Sequence, residues 1–144
     1  GSRSLEPYDI PDSVQELTFG DFFDQSFCKD VIPPSVQILT FGKNFNQTIL
    51  PGVIPSSVQE LTFGDSFNRP ISQGTLPPFV KMVTFGDKFN NLRRNSIPDS
   101  VKILILGKTF NQPFNQKARF LTRLTFGTGF NQHILKNTNG QMLL

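Results

Sequence analysis

The side chains that most often carry out covalent chemistry are scarce in this chain of 144 residues, which has one cysteine, Cys28, and one histidine, His133. A cysteine nucleophile needs a nearby base, and Cys28 has no repeated partner in the sequence. His133 occupies a variable position near the C-terminal end, which favours a solvent-facing role over that of a general base. No Cys and His cluster has zinc spacing. The sequence therefore predicts no catalytic residue, no metal site and no cofactor.

Carboxylates recur at equivalent positions of a repeating pattern, at Asp21, Asp65 and Asp87. Lys43 and Lys108 occupy the same position in other copies of the pattern, so the row indicates mixed surface charge and not an acid–base site. The chain also lacks the glycine-rich loops that hold phosphates. We therefore expect a protein that is not an enzyme.

Composition excludes several other classes of protein. No apolar run approaches the roughly 20 residues of a membrane-spanning helix, and the N-terminus lacks a signal-peptide pattern. A single cysteine cannot form an internal disulfide, which suits a reducing compartment. We expect a cytoplasmic protein with no membrane partner. The 16 Phe stand beside one Tyr and no Trp, a skew that requires a repeating cause.

That cause is an internal repeat marked by Phe-Gly pairs. Six copies follow one another at spacings of 22, 22, 22, 21 and 20 residues, with Leu106-Gly107 in place of the pair in the fifth copy. A second Phe comes four positions later and is followed by Asn, or by Asp24 in the first copy. These columns contain Phe19, Phe23, Phe41, Phe45, Asn46, Phe63, Phe67, Asn68, Phe85, Phe89, Asn90, Phe110, Asn111, Phe126, Phe130 and Asn131.

The repeated side chains have structural roles. Stacked Phe rings predict a continuous core worth about 2–3 kcal/mol per side chain. Each Asn is expected to pair with backbone groups at a bend. Asp24 can accept such bonds but cannot donate them, so the first bend is expected to be looser or more exposed. An apolar position four residues after the second Phe is interrupted by Arg93, and the fourth copy is one residue short.

The segment L-x-x-L-x-F alternates like a short strand, with the second Leu and the Phe facing one side. Pro precedes each strand except the last, where Ala118 stands, and Gly after the strand is expected to allow a sharp turn. Gly52 and Gly74 indicate a second turn. We predict a leucine-rich-repeat-like solenoid of about six 20–22-residue units, each with one strand of a parallel sheet and little or no α-helix. Its parts are a leader over residues 1–9, repeats over 10–135 and a tail over 136–144.

The unit I-P-x-S-V-x-x-L-x-F-G-x-x-F-N-Q-x-I resembles the FNIP, or FGxxFN, repeat family, an offshoot of leucine-rich repeats found in social amoebae and in large DNA viruses of protists. The resemblance covers roughly residues 10 to 135. It implies a right-handed parallel solenoid that serves as a binding scaffold, often attached to an F-box or another module. Nine residues precede Ile10, too few for an F-box, so the role of a ubiquitin-ligase adaptor is not expected.

Information about partners is expected in the columns that vary. One such column lies three residues before each Phe-Gly on the outward face of the sheet, and Ile105 replaces the usual Thr beside it. A connected apolar group on a sheet face indicates a contact surface, unless the end Met142-Leu143-Leu144 folds over it. The predicted partner-binding residues are Glu16, Ile38, Glu60, Met82, Ile103, Ile105 and Arg123.

Charge is divided unequally along the chain. Residues 1–72 hold 4 basic and 9 acidic residues, a net charge of −5, and residues 73–144 hold 10 basic and 2 acidic residues, a net charge of +8. Chance and solvation are one interpretation of this split. The other is a homodimer of antiparallel solenoids joined through the variable sheet face or the open solenoid ends. We therefore predict a noncatalytic protein-interaction scaffold that forms a homodimer.

Nucleic-acid or acidic-partner binding through the basic half is the alternative function. Attraction to phosphates could supply affinity without sequence readout. Against it, most aromatic side chains are assigned to the core, which leaves few for base stacking, and the acidic half would repel a phosphate backbone. The basic residues in question are Lys81, Lys88, Arg93, Arg94, Lys102, Lys108, Lys117, Arg119 and Arg123.

Overall fold

The architecture was determined from a computed structural model, which describes residues 3–133, 135–136 and 142–143, the last four by their backbone alone. Six short strands form one parallel sheet in chain order. Each strand and the chain that leads to the next strand make one turn of a solenoid, here called coil 1 to coil 6. The strands are β1 Glu16–Thr18, β2 Ile38–Thr40, β3 Glu60–Thr62, β4 Met82–Thr84, β5 Ile103–Ile105 and β6 Arg123–Thr125.

The predicted solenoid is confirmed. None of the described residues is helical, and therefore no described segment is a helix of the length and apolarity that crossing a membrane would take. Strands β7 Leu135–Lys136 and β8 Met142–Leu143 pair with each other in antiparallel fashion, apart from the six-stranded sheet. Whether the side chains of Met142-Leu143-Leu144 cover the sheet face lies outside the described residues.

The register of the sheet follows from the repeat length. Leu17 pairs with Leu39, and Leu39 pairs with Leu61, so each position meets its own counterpart in the next coil. The predicted alternation is also confirmed, since Leu39 and Phe41 are buried while Thr40 between them is half-buried. A strand of three residues can therefore present two side chains outwards and one inwards.

Stacked phenylalanine rings fill the solenoid, as the two Phe columns predict. The Phe41 ring lies 4.2 Å from that of Phe45 in its own coil and 5.5 Å from that of Phe63 in the next, with interplanar angles of 16° and 8°. The second column continues from Phe45 to Phe67 at 6.0 Å. In coil 5, Leu106 takes the place of one ring and is also buried. The apolar area removed from water makes this spine the main source of stability.

Consecutive coils approach each other most closely at the glycine that follows each strand. A β-carbon on Gly64 would lie 2.7 Å from the carbonyl carbon of Gly42, too close for any side chain. The chain turns at this position as expected, with the Phe67 N–H donating to the Gly64 carbonyl oxygen at 3.4 Å. No glycine of this column has a left-handed backbone, so the turn alone does not require glycine. Close approach of two backbones demands it instead, and the same contact recurs at Gly42, Gly86, Gly107 and Gly127.

The second predicted turn is confirmed, and it does use left-handed backbone. Gly52 and Gly74 have φ values of 83° and 87°, and Asp30 and Asn95 occupy the equivalent positions with φ values of 74° and 51°. Asp and Asn tolerate this region better than most residues. The turn before β6 differs, because Ala118 itself adopts a φ of 33°.

A ladder of side-chain oxygens supports the outer bend of each coil. The Asn68 backbone N–H donates to Asn46 Oδ1 at 2.9 Å, and the Asn90 N–H donates to Asn68 Oδ1 at 2.9 Å. Asp24 accepts the first bond of the ladder, from the Asn46 N–H at 2.8 Å. Only an acceptor is needed for these bonds, so Asp24 makes a ladder bond as short as the others, although its side chain is exposed as expected.

Coil 4 is one residue shorter than its predecessors, and the deletion shifts which residue faces inwards. Leu92 is bridged to Ile71 of coil 3 and is 8% exposed, whereas Arg93 is exposed. The prediction that Arg93 interrupts the apolar column is therefore wrong. The short coil advances the register by one residue, and Leu92 restores the column.

Gly64→Ala should destabilise the fold by about 1–3 kcal/mol, because a β-carbon would force coils 2 and 3 apart. Gly20→Ala is the matched control, since a β-carbon there has nothing within 4 Å. Thermal unfolding followed by circular dichroism measures both variants. Equal melting temperatures for the two would contradict the close-approach explanation.

Asn68→Ala should cost about 0.5–1.5 kcal/mol, because the Asn90 N–H loses its acceptor. Asn68→Asp keeps an oxygen at the same place and should retain most of the stability, as Asp24 does naturally. Urea unfolding of both variants beside the unaltered protein gives the two differences. If the Asp variant is as unstable as the Ala variant, the ladder needs the amide donor and the explanation fails.

Candidate interaction surfaces

The predicted partner-binding side chains form a row across the sheet, here called the face row. Strand register places them side by side from β1 to β6, and Ile105 lies in the adjacent outward column between Thr84 and Thr125. The apolar members lie on the outward side of the sheet and are half-buried. The row consists of Glu16, Ile38, Glu60, Met82, Ile103 and Arg123.

The charge split in the sequence becomes a spatial one, because the strands lie in chain order. Glu16 and Arg123 are both exposed and end the face row on opposite edges of the sheet. Five strand steps separate them, a distance of about 24 Å. The solenoid therefore has an acidic edge at β1 and a basic edge at β6.

At the acidic end, the carboxylate of Asp9 holds the first turn. The Glu6 backbone N–H donates to Asp9 Oδ2 at 2.9 Å, and Arg3 donates to Asp9 Oδ1 at 3.0 Å. The hydrogen bond from the Glu6 N–H, and to a smaller extent the one from Arg3, keeps the pKa of Asp9 below its ordinary value. The hydrogen bond to the Asp9 carboxylate in turn raises the pKa of Arg3. Asp9 is therefore ionised, and the turn held, at neutral pH.

Both ends of the solenoid expose part of the core. The first and last coils contain apolar side chains that are only partly buried, whereas their counterparts in the middle coils are buried. Among the described residues, the terminal coils have a neighbouring coil on one side only. The half-covered residues are Leu5, Ile10, Val14, Leu17, Phe23 and Phe27 at one end and Leu121, Leu124, Phe126 and Phe130 at the other.

Two exposed phenylalanines were not assigned to any surface by sequence reasoning. Phe79 and Phe120 are 64% and 56% exposed. They replace a serine of the other coils, such as Ser100, whose hydroxyl donates to the Val80 carbonyl oxygen at 2.6 Å. The Arg119 guanidinium lies 5.9 Å from the centre of the Phe120 ring. The feature of the sequence that could have identified them is an aromatic residue in a column that otherwise contains serine.

The residues able to do chemistry do not converge. Cys28 is exposed beside a groove of about 570 Å³ that Leu5, Lys29 and Leu50 also line, while His133 lies in coil 6 at the opposite end of the sheet. Asp21 accepts a hydrogen bond from the Lys43 backbone N–H at 3.1 Å, which gives this carboxylate a structural use. Within residues 3–133 and the short strands that follow, no group of three or more His, Cys, Asp or Glu is arranged to hold a metal.

The family model of the FNIP repeat matches five overlapping segments, residues 2–44, 23–66, 45–88, 67–109 and 89–118. The chain belongs to the FNIP repeat family. The glycine, phenylalanine and asparagine columns described above are thus the FNIP motif in three dimensions. Repeat proteins of this kind are typically interaction scaffolds, and the family suggests a noncatalytic role.

A solved structure shows the same fold at substantial sequence identity. The crystal structure of CroV588, described as a novel circular LRR protein structure, matches this chain with 40% identity and a TM-score of 0.89 over 94% of the chain. The match spans 20% of the CroV588 chain, so this FNIP solenoid corresponds to about a fifth of that protein's length. The comparison with curated proteins found no match.

Proposed function

We propose that this FNIP solenoid is a noncatalytic protein-interaction scaffold that forms a homodimer through its face row. The observation that supports the proposal is the order of charge and apolar character along that row. Acidic and basic ends flank the half-buried side chains Ile38, Met82 and Ile103, and the exposed Glu60 lies between Ile38 and Met82. An intracellular place of action agrees with the single thiol of Cys28.

A two-fold axis between β3 and β4 would match the face row to itself. Two antiparallel solenoids would then place Glu16 opposite Arg123 of the second molecule and Ile38 opposite Ile103 of the second molecule. Glu60 would lie opposite Met82 of the second molecule, next to the axis. The Ile38–Ile103 contacts on either side of it are apolar, and opposite charges at the rim are usual in protein interfaces. Ile105, one column away, would extend the apolar centre.

Ile103→Glu should weaken the dimer at least about tenfold, because each substitution acts twice across a two-fold axis and places a charge against Ile38. Leu50→Glu is the matched control, since Leu50 is 65% exposed and lies away from the sheet beside Cys28. Light scattering across protein concentration and salt measures the association. A monomer at every concentration and salt level, or an equal effect of both variants, would refute the face dimer.

A second candidate function is binding of single-stranded nucleic acid by the basic half. The exposure of Phe79 and Phe120 supports it, because their column lies two residues before that of the exposed Lys81 and Lys102. The Arg119 guanidinium also lies 5.9 Å from the centre of the Phe120 ring. Exposed rings among cations are the arrangement that stacks bases and follows a phosphate backbone. Two aromatic side chains in the basic half are therefore outside the core and accessible to bases, which weakens the objection that few remain for stacking.

Phe120→Ala should weaken binding of a single-stranded oligonucleotide about five- to a hundredfold if the ring stacks on a base. Phe22→Ala is the matched control, because Phe22 is 94% exposed but lies in the acidic half. Fluorescence anisotropy at low salt reports both affinities. An unaltered protein that binds no oligonucleotide at low salt removes this candidate.

A further inference from the structure

The outer edges of the sheet carry complementary backbone groups. Between β1 and β2, the Gln37 N–H donates to the Gln15 carbonyl at 2.7 Å, and the Phe19 N–H donates to the Thr40 carbonyl at 2.9 Å. The same pair of bonds recurs at each joint as far as β6. Because β1 and β6 are the edge strands, each presents the half of this pattern that the other lacks.

We propose that molecules of this chain join head to tail, with β1 of one molecule pairing in parallel with β6 of another. The Phe126 N–H would donate to the Thr18 carbonyl of the next molecule, and the Gln15 N–H of that molecule would donate to the Thr122 carbonyl. This end joint uses the two edges of the sheet. The face dimer proposed above uses its surface, so neither rests on the other.

Charge favours the end joint at two positions. Continuing the register of the sheet places Glu16 of the next molecule beside Arg123, as Arg123 already lies beside Ile103. Opposite charges in neighbouring strands stabilise a sheet. Arg119, which contacts Asp99 of coil 4 at 3.4 Å, would have Asp12 of the next molecule on its other side, because Asp12 and Arg119 occupy the same repeat position.

The half-covered cores of the two ends also fit each other. Phe126 and Phe130 stack at 3.7 Å within coil 6, and Phe19 and Phe23 stack at 4.3 Å within coil 1. Rings of the same two columns stack between neighbouring coils elsewhere in the solenoid at 5.2 to 6.3 Å. The end joint would bury these rings as the internal joints bury theirs.

Gly20 is the residue that most directly indicates a missing neighbour. Each later glycine of its column is required by the carbonyl of the preceding glycine, but a β-carbon on Gly20 would meet nothing within 4 Å, and its backbone is not left-handed. Nothing described within one molecule therefore requires glycine there. In the end joint, the Gly127 carbonyl of the other molecule would occupy the position of that β-carbon.

The end joint sets one condition on the C-terminal segment. Leu5 occupies in coil 1 the repeat position that Ile134 occupies in the sequence after coil 6, so one place in the stack cannot hold both. The joint therefore requires the residues after His133 to lie outside the stack. A variant that ends at His133 removes this competition and should associate more tightly than the full chain.

Sedimentation velocity of the full chain and of Gly20→Ala tests the end joint. We expect the average mass of the unaltered protein to rise with concentration beyond two molecules, and we expect Gly20→Ala to melt at the same temperature yet lose this growth. If Gly20→Ala grows like the unaltered protein, or if the unaltered protein never exceeds two molecules, the end joint is wrong. In the second case Ile103→Glu decides separately whether the remaining association is the face dimer.

A mixing experiment distinguishes a blocked β1 end from a general inability of the variant to associate. Gly20→Ala blocks only the β1 end of the variant, so its β6 end should still bind the β1 end of an unaltered molecule. That β1 end is then occupied, and no further unaltered molecule can join there. An excess of Gly20→Ala should therefore reduce the assemblies of unaltered protein to pairs. If the excess leaves those assemblies at their original mass, the blocked end is not the joint and the proposal fails.

Discussion

Two peptide backbones in contact at the glycine column set the spacing on which every other interaction depends. The carbonyl of one glycine fills the space that a β-carbon would need in the next coil. At this separation, strands form their hydrogen bonds, rings stack at 5.2 to 5.5 Å in the first Phe column, and side-chain oxygens reach the next bend at about 2.9 Å. A larger side chain at one glycine would loosen all three sets of contacts together, because each is satisfied at the same repeat distance.

Two kinds of contact between coils run in one direction along the solenoid. Ladder bonds run from the backbone N–H of one coil to the side-chain oxygen of the coil before it, and serine hydroxyls such as that of Ser57 also donate to the preceding coil, at the Val36 carbonyl. The first coil thus needs only acceptors for these contacts, and Asp24 satisfies that need as well as asparagine does. A solenoid built this way has two chemically different ends, which explains why its edges complement each other and not themselves.

The repeat made most of the fold predictable, because the spacing of one motif sets both strand position and register. Phe41, Leu39 and Thr40 lie where the alternation predicted. What could not be predicted depends on distances between coils. The sequence does not reveal that the glycine of the Phe-Gly pair is required by the close approach of two backbones. It also does not reveal that the one-residue deletion in coil 4 places Leu92, and not Arg93, in the core.

The candidate surfaces were predictable only in part. The face row followed from the repeat, but its half-buried state depends on how neighbouring side chains cover one another. Phe79 and Phe120 share a column in the sequence, yet their exposure follows from the direction of that column in the folded coil. Partner identity is not encoded in the repeated positions, since those positions specify the fold.

The hydrogen bonds between coils join residues 19 to 23 positions apart, and no described hydrogen bond spans more. Contact order in absolute sequence separation therefore stays constant however many coils are added. The chain entropy lost on forming each coil is therefore about the same for every coil and does not increase with the number of coils. Folding can start at any adjacent pair of coils and spread in both directions, and opening begins at the terminal coils, whose rings have a neighbour on one side only.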